Sequence, residues 1–289
     1  MRSKSENGFN WLALLFVSPV IIFLTVFTFY PFVRSIVMTF FVTDSLGNPG
    51  MFVGLRIWKK VLSSSEFKVS LGTTFKYSLA KGVLTFCLAM LMAFLCTKKT
   101  KRSKVYQTMF ALPIAIASAP ICAIVTYVFC RYGVFNAITG RTEAWLALSK
   151  ARFWIIVLSS VWSSSGSSFI YLLVGFRNVP DELIECANLD GCGPVRRFFQ
   201  IFIPIASPQI FFVIFLNILS AFKGFAIIKI LVGNVEAPEV TTLILKLYQY
   251  AFVRDRYEIA CVYGLILAVV IFVVSRIQFM VEKKVVFYQ

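Results

Sequence analysis

Six long apolar runs, separated by polar or turn-rich stretches, dominate the pattern along this chain of 289 residues. A helix rises about 1.5 Å per residue, so about 20 residues are needed to cross roughly 30 Å of hydrocarbon. Every run meets or approaches that length. The pattern therefore predicts an all-α, polytopic membrane protein with one transmembrane domain over residues 1–289 and spans near residues 11–30, 71–96, 105–129, 153–176, 209–232 and 259–281.

A polar segment interrupts the apolar pattern between the fourth and fifth runs, at residues 179–204, and reads VPDELIECANLDGCGPVRRFFQIFIP. Pro180 suits a first helical position, where its missing N–H is not needed. Asp181 follows and places negative charge at the positive end of the helix dipole. We expect a short helix from Pro180 to about Leu189, ended by a turn that Gly191 permits.

The two faces of this short helix are predicted to differ in polarity. A spacing of three and four residues puts Leu183, Cys186 and Ala187 on one face, which we expect to pack. Glu182 and Glu185 then lie nearer the opposite face. The helix should therefore present acidic side chains on the side that does not pack.

A second helical piece is predicted at residues 195–203, where two arginines precede three phenylalanines. Pro204 and Pro208 are expected to prevent this piece from running unbroken into the fifth span. The residue pattern alone leaves two interpretations open. Residues 179–204 form either an amphipathic connector on the membrane surface or a docking surface for a partner protein.

Composition supports a membrane protein and excludes several kinds of chemistry. Hydrophobic residues make up 59% of the chain and charged residues 15%, far from the balance of soluble domains. The chain has no histidine, which excludes histidine-based catalytic triads and metal sites. Most of its seven cysteines lie within apolar runs and form no CxxC pair, as expected of small packing residues. Basic loop flanks explain the net charge of +16 better than nucleic-acid binding does.

The density of basic residues predicts the orientation in the membrane, since their numbers are equal on the two sides. The loop KKTKRSK between spans two and three is short and directly flanks both spans, where the positive-inside bias is strongest. We therefore expect that loop, residues 179–204 and both termini to be cytoplasmic. The first run follows Arg2 and Lys4, but its length and the lack of a small-x-small cleavage site favour a span over a signal peptide.

The segment ELIECANLDGCGPVRRFFQIFIP resembles the EAA motif of permease subunits from binding-protein-dependent ABC importers. In that motif an acid and two small residues precede an Asp-Gly pair and a later hydrophobic-Pro pair. The chain departs from the motif by a cysteine at the first alanine position, a mild change because both residues are small. The matching positions are Glu185, Cys186 and Ala187, then Asp190 and Gly191, then Ile203 and Pro204.

Other stretches are similar to the carbohydrate-uptake branch of that family. They are KVYQTMFALP, WSSSGSSFIYLLVGF, LSAFKGF and FMVEKKVVFY. A Gly-Gly-Pro loop of the branch is replaced here by VEAP at residues 235–238. The resemblance implies six transmembrane helices, a cytoplasmic coupling helix between helices 4 and 5, and alternating access for a sugar or oligosaccharide.

The resemblance also implies partners, because an importer hydrolyses ATP and this sequence has no GxxxxGK[ST] phosphate loop. ATP and Mg²⁺ are expected on a separate ATPase, and no cofactor is expected in this chain. Relatives of this kind combine two permease chains, similar or identical, with two cytoplasmic ATPases and a solute-binding protein outside the bacterial plasma membrane. The residues implied in ATPase contact are Glu182, Glu185, Cys186, Ala187, Asp190, Gly191 and Pro204.

Polar residues within the spans are candidates for a substrate pathway, since placing them in hydrocarbon is costly. The resemblance favours the spans on either side of the coupling helix, with the candidates Gly166, Phe169, Tyr171, Asn217, Ser220, Lys223 and Gly224. Helix packing and snorkelling are the alternative interpretations for the serines near Gly166 and for Lys223. Lys76 and Lys81 are expected to snorkel from the outer end of span two and are assigned no site role.

Two further classes of substrate or mechanism stay open. A neutral sugar can be held by aromatic faces, which Phe169, Tyr171, Phe222 and Phe225 would supply. Glycerol phosphate needs cations, of which Lys223 offers one, so a sugar is the first expectation and glycerol phosphate the alternative.

An ion-coupled secondary transporter should carry acids within its spans, and the six runs contain essentially none.

Overall fold

The computed structural model describes residues 11–44, 47–98, 100–233 and 235–285. Arg2, Lys4 and Lys99, which enter the orientation argument, lie outside these residues. Within them, six helical segments are long and apolar enough to cross a membrane, which confirms the predicted all-α, six-span architecture. They are Leu15–Met38, Ser65–Leu95, Ser118–Thr139, Ser149–Arg177, Ser207–Val232 and Tyr257–Lys283.

The first half of the described chain contains eight α-helices and one hairpin. The helices are α1 (Trp11–Leu24), α2 (Tyr30–Met38), α3 (Arg56–Ser63), α4 (Ser65–Leu95), α5 (Lys101–Ala115), α6 (Ser118–Phe129), α7 (Val134–Thr139) and α8 (Ser149–Arg177). The hairpin pairs β1 (Phe41–Thr43) with β2 (Pro49–Phe52) in antiparallel register. A π-helical turn, Thr25–Phe29, joins α1 to α2, so the first span continues past the predicted residue 30 to Met38.

The second half begins with the short helices of the polar segment and ends with long spans. Its helices are α9 (Asp181–Leu189), α10 (Pro194–Arg197), α11 (Ile203–Ile205), α12 (Ser207–Phe222), α13 (Ala226–Val232), α14 (Leu243–Phe252) and α15 (Tyr257–Val285). A π-helical turn, Phe198–Phe202, lies between α10 and α11, and a 3₁₀ turn, Trp145–Ala147, precedes α8.

The third predicted span, residues 105–129, is not one helix. It is divided into α5 and α6 by an extended pair at Ile116 and Ala117. Pro120 explains the position of the break, because its ring has no N–H to donate and would clash with the carbonyl four residues earlier, at Ile116. The membrane-crossing length is recovered by α6 together with α7.

The fifth predicted span, residues 209–232, is also divided, between α12 and α13. Lys223, Gly224 and Phe225 form the break. A Cβ at Gly224 would lie 3.1 Å from Cε1 of Tyr77, so this bend brings backbone directly against the ring on α4. Irregular backbone at membrane depth is tolerated where protein covers it or where it lines a cavity.

Helix α8 is the central helix of the bundle. It packs along α4, α5 and α12, and 61% of the residues in its most apolar stretch of 18 are buried. The first span differs most from α8 in burial, since none of the residues in its most apolar stretch are buried. The core therefore forms around α8, and the first span presents its apolar surface to lipid or to another chain.

The hairpin is tied to the last span by a buried carboxylate. Glu258, at the start of α15, is fully buried and accepts a hydrogen bond from Thr43 Oγ1 at 2.6 Å. Arg256 Nε also donates to it, at 2.7 Å. Because both carboxylate oxygens are paired, this acid has a structural role in holding the hairpin against α15.

Candidate functional site

The coupling segment, residues 179–204, begins with helix α9. Pro180 caps this helix in an extended conformation rather than forming its first residue, so the helix starts one residue later than predicted, at Asp181. Asp181 and Glu182 occupy the first turn, where acidic side chains complement the exposed N–H groups.

Gly191 ends α9 as the sequence predicts. Its φ of 71° is left-handed, and Cys192 N donates to Ala187 O at 2.8 Å while Gly191 N donates to Asn188 O at 3.1 Å. This pair of bonds is the Schellman arrangement, which satisfies carbonyls at the end of a helix. The chain is thereby reversed toward α10.

The predicted packing face of α9 is wrong in one respect. Ala187 is buried and Ile184 packs on the core, whereas Leu183 and Cys186 are exposed. The observed face follows a spacing of three residues from Ile184, rotated from the predicted one, because the segment docks through Ile184 against the ends of α4 and α8.

The exposed surface of the coupling segment is both acidic and apolar. Glu182, Glu185 and Asp190 are exposed. Within the described ranges, the carboxylates of Glu182 and Glu185 make no hydrogen bond or ion pair. Leu189 is 88% exposed and Phe199 is 62% exposed. Unpaired acids beside exposed large apolar side chains are features of a protein-binding surface.

An aromatic cluster fixes the coupling segment to the bundle. Phe198 lies 4.7 Å from Phe94 at the end of α4, and Phe202 lies 5.8 Å from Phe176 at the end of α8, measured between ring centroids. Both pairs are edge-to-face, the geometry that aromatic rings favour. The segment is therefore packed on two spans rather than lying loosely on a membrane surface.

The second half of the coupling segment runs almost directly into the fifth span. The prediction that the helix would not run unbroken past Pro204 and Pro208 is confirmed, although the break is a single residue, Ala206, between α11 and α12. Ala206 N still donates to Phe202 O, and Ile210 N donates to Ala206 O. Each proline lies at the start of a helix, where the missing N–H is not needed.

The coupling segment and the densely basic loop lie at the same end of the bundle. A groove of about 570 Å³ is lined by Lys98 from that loop, by Arg177 at the end of α8 and by Ile184 and Arg197 of the segment. Arg197 Nη1 also donates to Asn188 Oδ1, which joins the two halves of the segment.

A polar cavity lies farther along the bundle, at the two helix breaks. Two adjoining pockets of about 300 and 350 Å³ share Ser164 and Lys223, and together they are called the central cavity here. Ser118 lines it just after the α5–α6 break, and Lys223 to Phe225 line it at the α12–α13 break. The interrupted backbone therefore lies where a cavity can accommodate it.

Five of the predicted pathway residues line the central cavity: Tyr171, Asn217, Ser220, Lys223 and Gly224. Ser168 Oγ donates to Asn217 Oδ1 at 3.1 Å, and Ser220 Oγ donates to the Asn217 carbonyl at 2.9 Å. The amide nitrogen of Asn217 is buried and has no partner among the described residues. These contacts orient the polar side chains of α8 and α12 toward one another.

Gly166 and Phe169 do not line the cavity. A Cβ at Gly166 would lie 2.9 Å from Ile114 Cγ1, so this glycine allows α8 to approach α5 closely. Phe169 is 1% exposed and packs edge-to-face on Phe110. Phe222 is also buried and packs on Phe75, which leaves Tyr171 and Phe225 as the aromatic residues of the expected set that reach the cavity.

Lys81 is the principal residue that the sequence interpretation missed. It was expected to snorkel, yet its side chain is buried, lines the central cavity and donates to Ser220 Oγ at 3.4 Å. Lys76, five residues earlier, lies over the Phe153 ring at 5.0 Å and does not line the cavity. The position of Lys81 near the middle of a long apolar run was the available signal.

A bundle of spanning helices with a polar cavity at its helix breaks and a packed coupling segment at one end defines a membrane permease. The chain belongs to the family described as binding-protein-dependent transport system inner membrane component, which matches residues 85–287. It is therefore a multi-pass inner membrane transport component rather than a catalytic subunit.

A relative agrees with this assignment, and two solved structures share the fold. The sn-glycerol-3-phosphate transport system permease protein UgpA of Yersinia enterocolitica is 29% identical over 297 residues, covering 98% of this chain and 99% of the relative. A bacterial ABC transporter involved in the import of the acidic polysaccharide alginate has a chain with a TM-score of 0.84 at 21% identity, with 95% and 96% of the two chains covered. A bacterial alginate transporter in complex with alginate pentasaccharide-bound periplasmic protein also has a TM-score of 0.84, at 20% identity, with 95% and 94% covered.

Proposed function

We propose that this chain is a permease subunit of an ATP-driven importer for a polyhydroxylated solute, either a sugar or a glycerol phosphate. The observation that carries the proposal is the coupling segment, which combines unpaired exposed acids with firm aromatic attachment to two spans. The names of the relatives, one for glycerol phosphate and one for an acidic polysaccharide, support this range of substrates.

The energy source is assigned to a separate ATPase. The sequence has no phosphate-binding loop, so ATP and Mg²⁺ belong on a partner chain. Glu182, Glu185, Cys186, Ala187 and Asp190 form or adjoin the contact with that ATPase, and Gly191 and Pro204 shape the segment. A second permease chain, two ATPases and an outside solute-binding protein complete the importer.

The fold offers a mechanical route from the coupling segment to the central cavity. Helix α12 follows the segment after the single residue Ala206, so we expect movement of α10 and α11 to reach α12. Lys223 ends α12 roughly 24 Å farther on, at the central cavity. Closure of an ATPase dimer would thus move the cavity-lining residues Asn217 and Ser220 between an inward-facing and an outward-facing state.

The same arrangement supports the proposed orientation in the membrane. The coupling segment and Lys98 of the basic loop lie at one end, and positive loops favour the cytoplasmic side. With six spans, both termini are then cytoplasmic. The hairpin at residues 41–52 and helix α14 lie toward the outside, where a binding protein would deliver the solute.

The substitution Glu185→Ala tests the proposed coupling. We expect the variant to insert and assemble normally, because Glu185 is exposed and has no partner within the described part of the chain. We expect its ATP-driven uptake to fall about tenfold or more, since a charged contact across a protein interface is lost. Uptake of the binding protein's own ligand into proteoliposomes provides the measurement.

The matched control for this test is Glu143→Ala. Glu143 is an exposed acid of the loop between α7 and α8, at residues assigned to the outside. Its removal should leave ATP-driven uptake unchanged. Normal uptake in the Glu185→Ala variant, or an equal loss in both variants, would contradict the assignment of this segment to ATPase coupling.

A further inference from the structure

The central cavity contains two lysines and, within the described residues, no acid among its lining groups. Lys81 and Lys223 both line the pocket of about 350 Å³. Neither makes an ion pair in the part of the chain that the structure describes, and the contact of Lys81 is a 3.4 Å hydrogen bond to Ser220. The remaining polar side chains of that pocket are hydroxyls, including those of Ser118, Ser160 and Ser163.

Because Lys81 lies deep within a span, the lack of an acidic partner among the described residues points to a role in solute binding. Lys81 lies near the middle of α4, roughly 24 Å from the first residue of that helix, and it is 5% exposed. A charged side chain at that depth is costly unless it is paired or serves a solute pathway.

We infer that the solute carried through this cavity is a polyhydroxylated anion and that Lys81 and Lys223 bind its acidic group. This inference rests on the proposed permease function and specifies its substrate class. The two ammonium groups pair with a carboxylate or phosphate, while the serine hydroxyls and Asn217 bind the hydroxyls of the solute. The same cationic pair disfavours entry of free cations, and a neutral sugar leaves both charges unpaired.

Ligand stabilisation of the purified importer, with both permease chains and the ATPases, tests this inference. The probes are two matched pairs, sn-glycerol 3-phosphate with glycerol, and galacturonate with galactose. We expect at least one acid to raise the unfolding temperature at a concentration about tenfold or more below that of its neutral counterpart. The two pairs distinguish a phosphate from a carboxylate as the recognised group.

The lysine substitutions identify which residues carry the preference. Lys81→Met and Lys223→Met should each weaken stabilisation by the acidic probe about tenfold or more, whereas Lys81→Arg should retain most of it. Lys76→Met is the matched control, because Lys76 is on the same helix but outside the cavity, and it should behave as the unmodified protein. Assembly of each variant is checked by the elution volume of the complex.

Two outcomes would overturn the inference. One is that the neutral probes stabilise the complex at the same concentrations as the acids, or that neither acid stabilises it. The other is unchanged acid binding in both methionine variants, which would show that the lysines do not bind the acidic group. Either result leaves the proposed permease function intact, provided that the complex still hydrolyses ATP in response to a loaded binding protein; failure of that response would instead contradict the permease function itself.

Discussion

Gly191 is the residue on which the shape of the coupling segment depends most directly. Its φ of 71° lies in the left-handed region, and two hydrogen bonds from residues 191 and 192 close the end of α9 around it. A residue with a side chain enters this region at a cost of roughly 1–2 kcal/mol. Since a Cβ there would meet no atom of the surrounding structure within 4 Å, that cost comes from the local backbone alone and not from a clash with other residues.

The substitution Gly191→Ala should loosen the segment without disturbing the bundle. We expect exchange of the α9 backbone amides with solvent to accelerate about fivefold or more, the equivalent of roughly 1 kcal/mol. Gly193→Ala is the matched control, because Gly193 has a φ of −66° and equal space for a Cβ. Equal acceleration in both variants would show that the left-handed turn is not what holds α9.

At the same scale, the sequence predicts residue types better than side-chain environments. Gly191, Asn217 and Ser220 could be selected because turn chemistry and polarity in a span are visible in the sequence. The depth of Lys81 in its apolar run was visible in the sequence, but the run does not show which face of α4 meets α8 and so whether this lysine lines a cavity. That choice is made by the packing of the helices.

At the scale of elements, close helix contacts explain one predicted site residue. Gly166 was selected for a substrate pathway, but a Cβ there would also lie 3.2 Å from the Phe110 carbonyl, besides its contact with Ile114. The residue thus sets the distance between α8 and α5. Small residues at such contacts are the usual basis of close packing between helices in membranes.

The substitution Gly166→Ala should therefore lower stability rather than alter selectivity. We expect a loss of about 1–3 kcal/mol, the usual cost of overpacking, measured as a lower unfolding temperature in detergent. Gly72→Ala on α4, where a Cβ meets no atom within 4 Å, should leave stability unchanged or raise it slightly. A selective loss of solute binding at normal stability would return Gly166 to the substrate pathway.

The number of spans and their helical type could be predicted because long apolar runs have few alternatives in a bilayer. The breaks within spans three and five could not be placed from the runs alone. Pro120 is visible in the sequence and disfavours an unbroken helix, but a proline alone does not show whether the helix bends or divides into two. At Lys223 to Phe225 the chain unwinds against Tyr77, which is distant in sequence.

At the scale of the whole molecule, the coupling segment and the central cavity are joined by α12. One end of this helix follows the aromatic cluster of Phe94, Phe176, Phe198 and Phe202, and the other carries Lys223. In the proposed mechanism, α12 would carry a force from the segment to the cavity. The exposed first span, with none of its apolar window buried, is consistent with a second permease chain in the assembly.

The central claim, that an ATPase binds the coupling segment on the cytoplasmic side, is tested most directly through Cys186. This thiol is exposed on α9 beside Glu185, and a Cys192→Ser background leaves it as the reporter of the segment. A membrane-impermeant maleimide should label Cys186 in inverted vesicles but not in right-side-out vesicles, as mapped by mass spectrometry. Added ATPase subunit should slow the reaction strongly. Labelling from the outside, or an unchanged rate with the ATPase bound, would contradict the account.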